Sequence, residues 1–337
     1  MQTDIDNTKN IKGLNKSVLV TGCGYIGSNI AKDLYRNGYT PVVIGKSIQD
    51  TSISNFAECF EVDLPKDIHL LDEIVKRYDI ESCIHTASSK SISDSIVNPN
   101  KYYKNNVVVT IQLLNKLVEL GMKKIVFTSS SAVYGNTQGP CLDTDTNLKP
   151  LNPYGHSKLM CERIIQDYCN AFDLSAVSLR IFNVAGTDID CELGDTSKNA
   201  RHLIPSIIQA GFQANEFILN GTDYTTPDGT CMRDYIHIQD VTSACIMALK
   251  LEQKYECLNI GTNIGITNQE VLDQIQKHTG AINVRTGPRR QGDPDMLIAD
   301  ITRTKDVLNW KPTHSSIDNV IRSAVQWYKT CNKKEMN

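Results

Sequence analysis

The sequence has no run approaching the roughly 20 apolar residues that cross a bilayer, no Cys-x-x-Cys pair and no His/Cys cluster at zinc spacing. The first absence leaves no case for a membrane-spanning helix, and the second none for a structural zinc or other metal site. No charge of one sign dominates either. Lys and Arg number 35 against 38 Asp and Glu, a net of −3, and the basic residues are scattered apart from short runs such as Lys123-Lys124 and Arg289-Arg290. That removes a bulk electrostatic argument for nucleic-acid binding. The first 13 residues, MQTDIDNTKNIKG, contain no apolar core of a secretory signal and are expected to form a disordered tail. Cysteine is plentiful, but the eleven residues are an odd number and dispersed. They read as reduced thiols of a cytoplasmic protein.

What the sequence has is alternation. With 337 residues there is more chain than one average domain needs. Val18–Val20, Pro41–Ile44, Cys59–Val62, Ser82–His85, Lys124–Thr128 and Ala176–Phe182 are short apolar runs with the look of buried strands. Between them lie helical patterns at Tyr25–Asn37, Asp67–Tyr78, Pro99–Leu120 and Pro153–Ala171. Strands alternating with helices predict an α/β fold: a doubly wound parallel sheet whose ligand sits at the carboxyl ends of its strands. After about residue 183 the texture becomes loop-rich, which predicts a smaller C-terminal substrate-binding domain. The expected division is 14–182 plus about 234–262 for the sheet domain, and 183–233 with 263–330 for the smaller one. A strand and helix near Tyr235–Lys250 are expected to return to the main sheet.

The first strand runs into Gly22-Cys23-Gly24-Tyr25-Ile26-Gly27, a Gly-x-Gly-x-x-Gly turn that opens a helix. Gly22 permits the tight turn, Gly24 lets backbone approach a pyrophosphate, and Gly27 allows helix and strand to pack closely. A dinucleotide site usually places Asp or Glu at the end of the next strand, where it accepts from the ribose 2′-OH. Here that strand ends Gly45-Lys46-Ser47. Lys46 and Ser47 either contact a 2′-phosphate or are solvated loop residues, so NAD is expected with NADP left open. Asp63, after the third strand, either accepts from the adenine amino group or caps the next turn.

Tyr154 and Lys158 stand four apart on a predicted helix, hence on one face. A nearby ammonium favours a phenolate by charge, which is what a tyrosine needs to act as a base at neutral pH. Ser130 follows a predicted strand 24 residues earlier, and its hydroxyl would reach the same substrate oxygen.

The glycine loop, a serine after a strand and a Tyr-x-x-x-Lys helix, in that order, resemble the short-chain dehydrogenase/reductase family and its extended branch. Longer stretches resemble UDP-galactose (UDP-glucose) 4-epimerases: His85-Thr86-Ala87 with Lys90, Tyr102–Val107, Arg180–Asn183, Tyr224–His237 and Pro288–Asp293. The likeness runs from about Val18 to Tyr328. It implies Ser130, Tyr154 and Lys158 as catalytic residues. Taken with the reading of the glycine loop and strand ends, it gives as candidate cofactor contacts Gly22, Gly24, Tyr25, Ile26, Gly27, Lys46, Ser47, Asp63, Leu64, Ala87, Lys90, Asn105, Tyr154, Lys158 and Phe182, with Lys46 and Ser47 left open as above. It implies a UDP-sugar held by Lys90, Ser130, Tyr154, Asn183, His202, Leu203, Asn220, Arg233, Arg290, Asp293 and Leu297. Arginine suits the diphosphate because its planar fork pairs two oxygens; the plainer reading of Arg233 is a salt bridge to Asp228 or Asp234. The resemblance also implies a homodimer formed by the two long helices around 99–120 and 153–171.

The chain departs from that family's pattern in five places. The first loop is one residue short, and Gly45 replaces the usual Asp. His202 stands for an Asn, Asn220 for an aromatic beside the uracil, and Leu297 where a large Tyr narrows the pocket and a small residue admits N-acetyl sugars. Among rivals, a 4,6-dehydratase would need Asp-Glu directly after the serine, where Ser131-Ala132 stands. A UDP-glucuronate decarboxylase would need a basic site that is not evident. A 4-reductase using NADPH is kept open by Lys46-Ser47. A non-catalytic cofactor-binding sensor is favoured by the altered loop and opposed by the intact Ser130, Tyr154 and Lys158.

Overall fold

The apolar runs of the first half become strands of one sheet. A computed structural model describes residues 16–48, 51–137, 139–195, 202–290 and 293–335; the expected tail at 1–13, and Gln291-Gly292 of the Pro288–Asp293 stretch, lie outside them. The strands are β1 (Ser17–Thr21), β2 (Thr40–Gly45), β3 (Glu58–Glu61), β4 (Ile80–His85), β5 (Lys124–Ser130) and β6 (Ser175–Ile181). With Tyr255–Ile260 they form a seven-stranded sheet in the order Tyr255–Ile260, β6, β5, β4, β1, β2, β3. Every neighbouring pair is parallel.

Alternate residues of a strand face opposite sides, and both sides are covered. Val18 and Val20 enter one apolar cluster with Ile30 and Leu34 of the helix Tyr25–Arg36 and Val241 of the helix Ile238–Leu249. Leu19 enters the other, with Leu113 and Leu117 of Val109–Glu119 and Ile165 of Pro153–Ala171. This is why the strands read as continuous apolar runs instead of alternating ones.

Chain order reverses between β1 and β4, whose last residues Thr21 and His85 are paired. In doubly wound sheets the crevice at such a reversal, at the carboxyl ends, receives the ligand. The loops leaving this point carry Gly22–Gly27 on one side and Thr86–Lys90 on the other.

The second half is built from short strands. Met232–Arg233 pairs Ile266–Thr267 antiparallel and Met296–Leu297 parallel, while Phe217–Asn220 pairs Val284–Gly287. One expectation needs correction. The strand Tyr235–His237 does not join the main sheet; it pairs Asn183–Ala185 in a two-stranded ribbon. The strand that returns is Tyr255–Ile260, beside β6. The helix Ile238–Leu249 does return, through Ile238, Val241 and Cys245. A second difference lies in the run Pro99–Glu119, where Tyr103–Val108 is π-helical.

Candidate active site

The glycine turn is built by contact. A Cβ on Gly27 would lie 1.9 Å from the Gly22 carbonyl oxygen, and one on Gly22, whose φ is +94°, would lie 2.7 Å from Thr86 Oγ1. A Cβ on Gly24 would meet nothing within 4 Å. Gly24 is the N-cap of the helix Tyr25–Arg36 and makes no side-chain cap. Open space in front of uncapped helix N–H groups is what a pyrophosphate requires, so the residues fit a dinucleotide at its phosphates. Ile26 packs against the core, and Tyr25 donates to the Gly186 carbonyl at 2.7 Å.

Asn152 caps the helix Pro153–Ala171 by accepting from Gly155 N at 2.9 Å, with Pro153 in its first turn. A Cβ on Gly155 would lie 2.5 Å from the Ala132 carbonyl oxygen. The helix bearing Tyr154 therefore rests directly on the turn that follows Ser130. Ser130 Oγ accepts from Ala132 N at 3.2 Å, and its hydroxyl lies near enough to the Tyr154 phenol to lower that group's pKa. Burial raises the Tyr154 phenol above its ordinary pKa, opposed by that serine. Tyr102 packs edge-on against the Tyr154 ring at 6.4 Å, its own hydroxyl donating to Asp94 at 3.0 Å.

Lys158 is 2% exposed, with Nζ over the Phe127 ring at 4.7 Å and 6.0 Å from the Tyr154 ring centroid. It donates to the Thr128 carbonyl at 2.9 Å and to Ser88 Oγ at 3.1 Å. Burial pushes its pKa down to about 8. The Ser88–Lys90 loop is pinned by Asn106 of the π-helical turn. The Asn106 amide accepts from Ser89 N (2.8 Å) and donates to the Ser89 carbonyl (3.1 Å) and to Ser157 Oγ (2.9 Å). Asn105 is exposed and reaches Ser89 Oγ at 3.2 Å. Ser88 and Asn106 carry no local sequence signal, because their partners lie tens of residues away.

The remaining predicted residues fall into two groups. At the adenosine end, Lys46 is exposed at the end of β2, and Asp63 makes no side-chain cap. Instead the Asp63 carboxylate sits 3.3 Å from Lys46 and 3.3 Å from Lys66. Burial works against its charge, but the two ammonium groups hold its pKa below the usual value. Ala87 borders Gly22, and Leu64 is buried in the second core cluster. At the other end, Arg233 pairs with neither Asp228 nor Asp234. Asp234 is buried and accepts from Thr262 N (2.8 Å), Asn263 N (3.0 Å) and Ala299 N (3.2 Å). Asp228 accepts from the Thr230 N–H at 2.8 Å. Arg233 instead faces Asp293 at 3.9 Å. Asn220 Oδ1 accepts from Arg290 Nε (3.2 Å) and Nη2 (3.3 Å). Burial, with Lys90 and Arg290 close by, lowers the His202 pKa, against the pull of Asp195. Asn220 and Arg290 are therefore neighbours, as are Arg233 and Asp293, and the charges of Lys90 and Arg290 act on His202. Leu203 begins the helix Leu203–Gln213, and Asn183 N donates to the Asp234 carbonyl at 3.0 Å.

Leu297 joins the two halves. It pairs with Arg233, and it is buried with Val133, Tyr134, Leu159 and Phe182. The arginine strand thus lies beside the serine turn and the Tyr154 helix.

A family model described as the NAD dependent epimerase/dehydratase family matches residues 18–261. The chain belongs to that family. The UDP-glucose 4-epimerase of Lactobacillus helveticus is 36% identical over 322 residues, covering 94% of this chain and 97% of its own. The UDP-glucose 4-epimerase of Brucella ovis in complex with NAD superposes with a TM-score of 0.86 at 35% identity, over 93% of this chain and 98% of that one. That of Stenotrophomonas maltophila, with bound NAD and formylated UDP-arabinopyranose, gives 0.90 at 30% identity over 95% and 100%. Within the family, then, this chain is similar to UDP-glucose 4-epimerases along nearly its whole length. No helix among the described residues is long and apolar enough to cross a membrane.

Proposed function

We propose that the chain is an NAD-dependent UDP-sugar 4-epimerase that interconverts UDP-glucose and UDP-galactose. The observation that carries this reading is the meeting of Ser130, Tyr154 and Lys158 beside the strand that holds Arg233. NAD, when bound on the glycine turn, supplies the acceptor and later the donor of the hydrogen at sugar C4. The chain's own residues do the rest. Tyr154 takes the proton of the sugar 4-OH and returns it, and Ser130 holds the same oxygen. Lys158 keeps a positive charge beside the phenol, which favours the phenolate that burial alone disfavours. Ser88 and the Thr128 carbonyl hold that ammonium in place. Arg233 and Arg290 pair with the diphosphate, anchoring the nucleotide while the 4-ketose turns over and presents its other face. Lys90, Asn183, His202, Leu203, Asn220 and Asp293 complete the hold on the UDP group. Leu297 is between Tyr and a small residue in size, which makes UDP-N-acetylhexosamines the second substrates to test.

We divide the chain as the sequence suggests, with 14–182 and about 234–262 carrying the cofactor and 183–233 with 263–330 the UDP group. We read the active form as a homodimer, supported by Val108 and Met160, which expose apolar side chains at 45% and 44% on the two long helices. Replacing both with Glu should convert a particle of twice the chain mass to one of single mass in sedimentation; an unchanged mass would place the contact elsewhere. We place the protein in the cytoplasm, in keeping with eleven unpaired thiols.

The test is incubation with UDP-galactose and, separately, UDP-GalNAc, without added cofactor. Proton NMR should show UDP-glucose forming from the first. No interconversion of either would overturn the reading.

A further inference from the structure

The shortened glycine loop and the glycine at 45 are one structural change. Gly22 N donates to the Ile44 carbonyl at 2.7 Å, which seats the loop on the end of β2. Cys23 follows, and its side chain falls over Gly45: a Cβ there would lie 2.5 Å from Cys23 Sγ and 3.3 Å from its Cβ. The thiol then donates to the Ser47 carbonyl at 2.8 Å. While Cys23 occupies this space no side chain fits at 45, and the carboxylate that dinucleotide sites place there to accept from a ribose 2′-OH has no room.

The nearby carboxylates are engaged otherwise. Glu61, paired with Gly45 across the sheet, accepts from Ile48 N at 3.2 Å and fixes the turn after β2. Asp63 is shared by Lys46 and Lys66 at 3.3 Å each. Those two lysines are 78% and 77% exposed, and each ammonium carries three N–H donors. An acid at this position both attracts a hydroxyl and repels a phosphate; its loss removes the attraction and the penalty together.

We propose that the adenosine-ribose subsite of this chain admits a 2′-phosphate as readily as a 2′-hydroxyl, with Lys46 and Lys66 as the groups that receive it, so that the chain binds NADP alongside NAD. The proposal rests on the dinucleotide reading of the glycine turn. It is tested with cofactor fragments, so that its failure is separable from a failure to epimerise.

The experiment is calorimetric titration of nucleotide-free protein with 5′-ADP and with adenosine 2′,5′-bisphosphate. The bisphosphate should bind with a Kd within tenfold of that for 5′-ADP, or tighter. Replacing Lys46 and Lys66 together with Ala should weaken the bisphosphate at least fivefold and leave 5′-ADP within twofold. A Cys23→Gly, Gly45→Asp double variant should turn the preference toward 5′-ADP by more than tenfold; should it fail to fold, the lysine variant decides alone. A wild-type preference for 5′-ADP above tenfold would overturn the proposal, as would a lysine variant that binds the bisphosphate unchanged. Loss of such a preference in Glu61→Gln would identify Glu61 as the ribose acid, which also overturns it.

Discussion

Lys158 is a charge kept almost dry, at 2% exposure, with its pKa pushed down to about 8 by burial. It is the residue on which the chemistry turns, because the Tyr154 phenol is itself raised by burial and needs a cation to favour its anion. Tyr154→Phe removes the proton acceptor and leaves the ring, so nucleotide content should stay unchanged while kcat falls about 10²–10⁴-fold. Normal turnover would remove Tyr154 from its role. Ser88→Ala should be milder and more telling. It deletes one acceptor of the ammonium, so the pH dependence of kcat should move while substrate KM stays, and Ser88→Thr should restore it. The four-residue spacing made Tyr154 and Lys158 legible in the sequence. Ser88 was not legible, since its contact with Lys158 is made only when β4 and the Pro153–Ala171 helix come together.

The elements place these residues by close backbone approach. Gly155→Ala puts a methyl group 2.5 Å from the Ala132 carbonyl oxygen. The helix must then shift relative to Ser130, and misplacement of about 1 Å costs on the order of a hundredfold in rate. We expect a folded protein with kcat reduced at least tenfold; unchanged kcat would show that the helix does not rest on this turn. Six of the seven strands of the main sheet were legible from apolar runs and the Pro153–Ala171 helix from its helical pattern; the seventh, Tyr255–Ile260, was not. The π-helical turn at Tyr103–Val108 was not, because it answers to Asn106 reaching Ser89 and Ser157. The partner of Tyr235–His237 was also missed. A three-residue apolar strand fits either sheet, and its place is set by where Asn183–Ala185 ends up.

For the whole molecule, two buried histidines make stability depend on acid. His85 lies between Thr21 (2.6 Å) and Thr110 (3.0 Å), and burial pushes its pKa down to about 3. His237 accepts from Gln239 N through Nδ1, and burial pushes it down to about 4. An unfolded histidine titrates near 6.5, so below that pH the unfolded chain binds protons that the folded one refuses. Stability from these groups is complete above about pH 6.5 and is lost as pH falls toward 4, at roughly 1.4 kcal/mol per pH unit for each. Urea midpoints at pH 7.5, 6 and 5 should fall accordingly, and His85→Gln should flatten the slope; an equal slope in the variant would show that His85 titrates normally. The central claim is that one site removes and returns the hydrogen at C4. The most direct measurement is the fate of deuterium at C4 of UDP-galactose in ordinary water. The account predicts UDP-glucose that retains the deuterium at C4. Washout of the label, or no UDP-glucose at all, would contradict it.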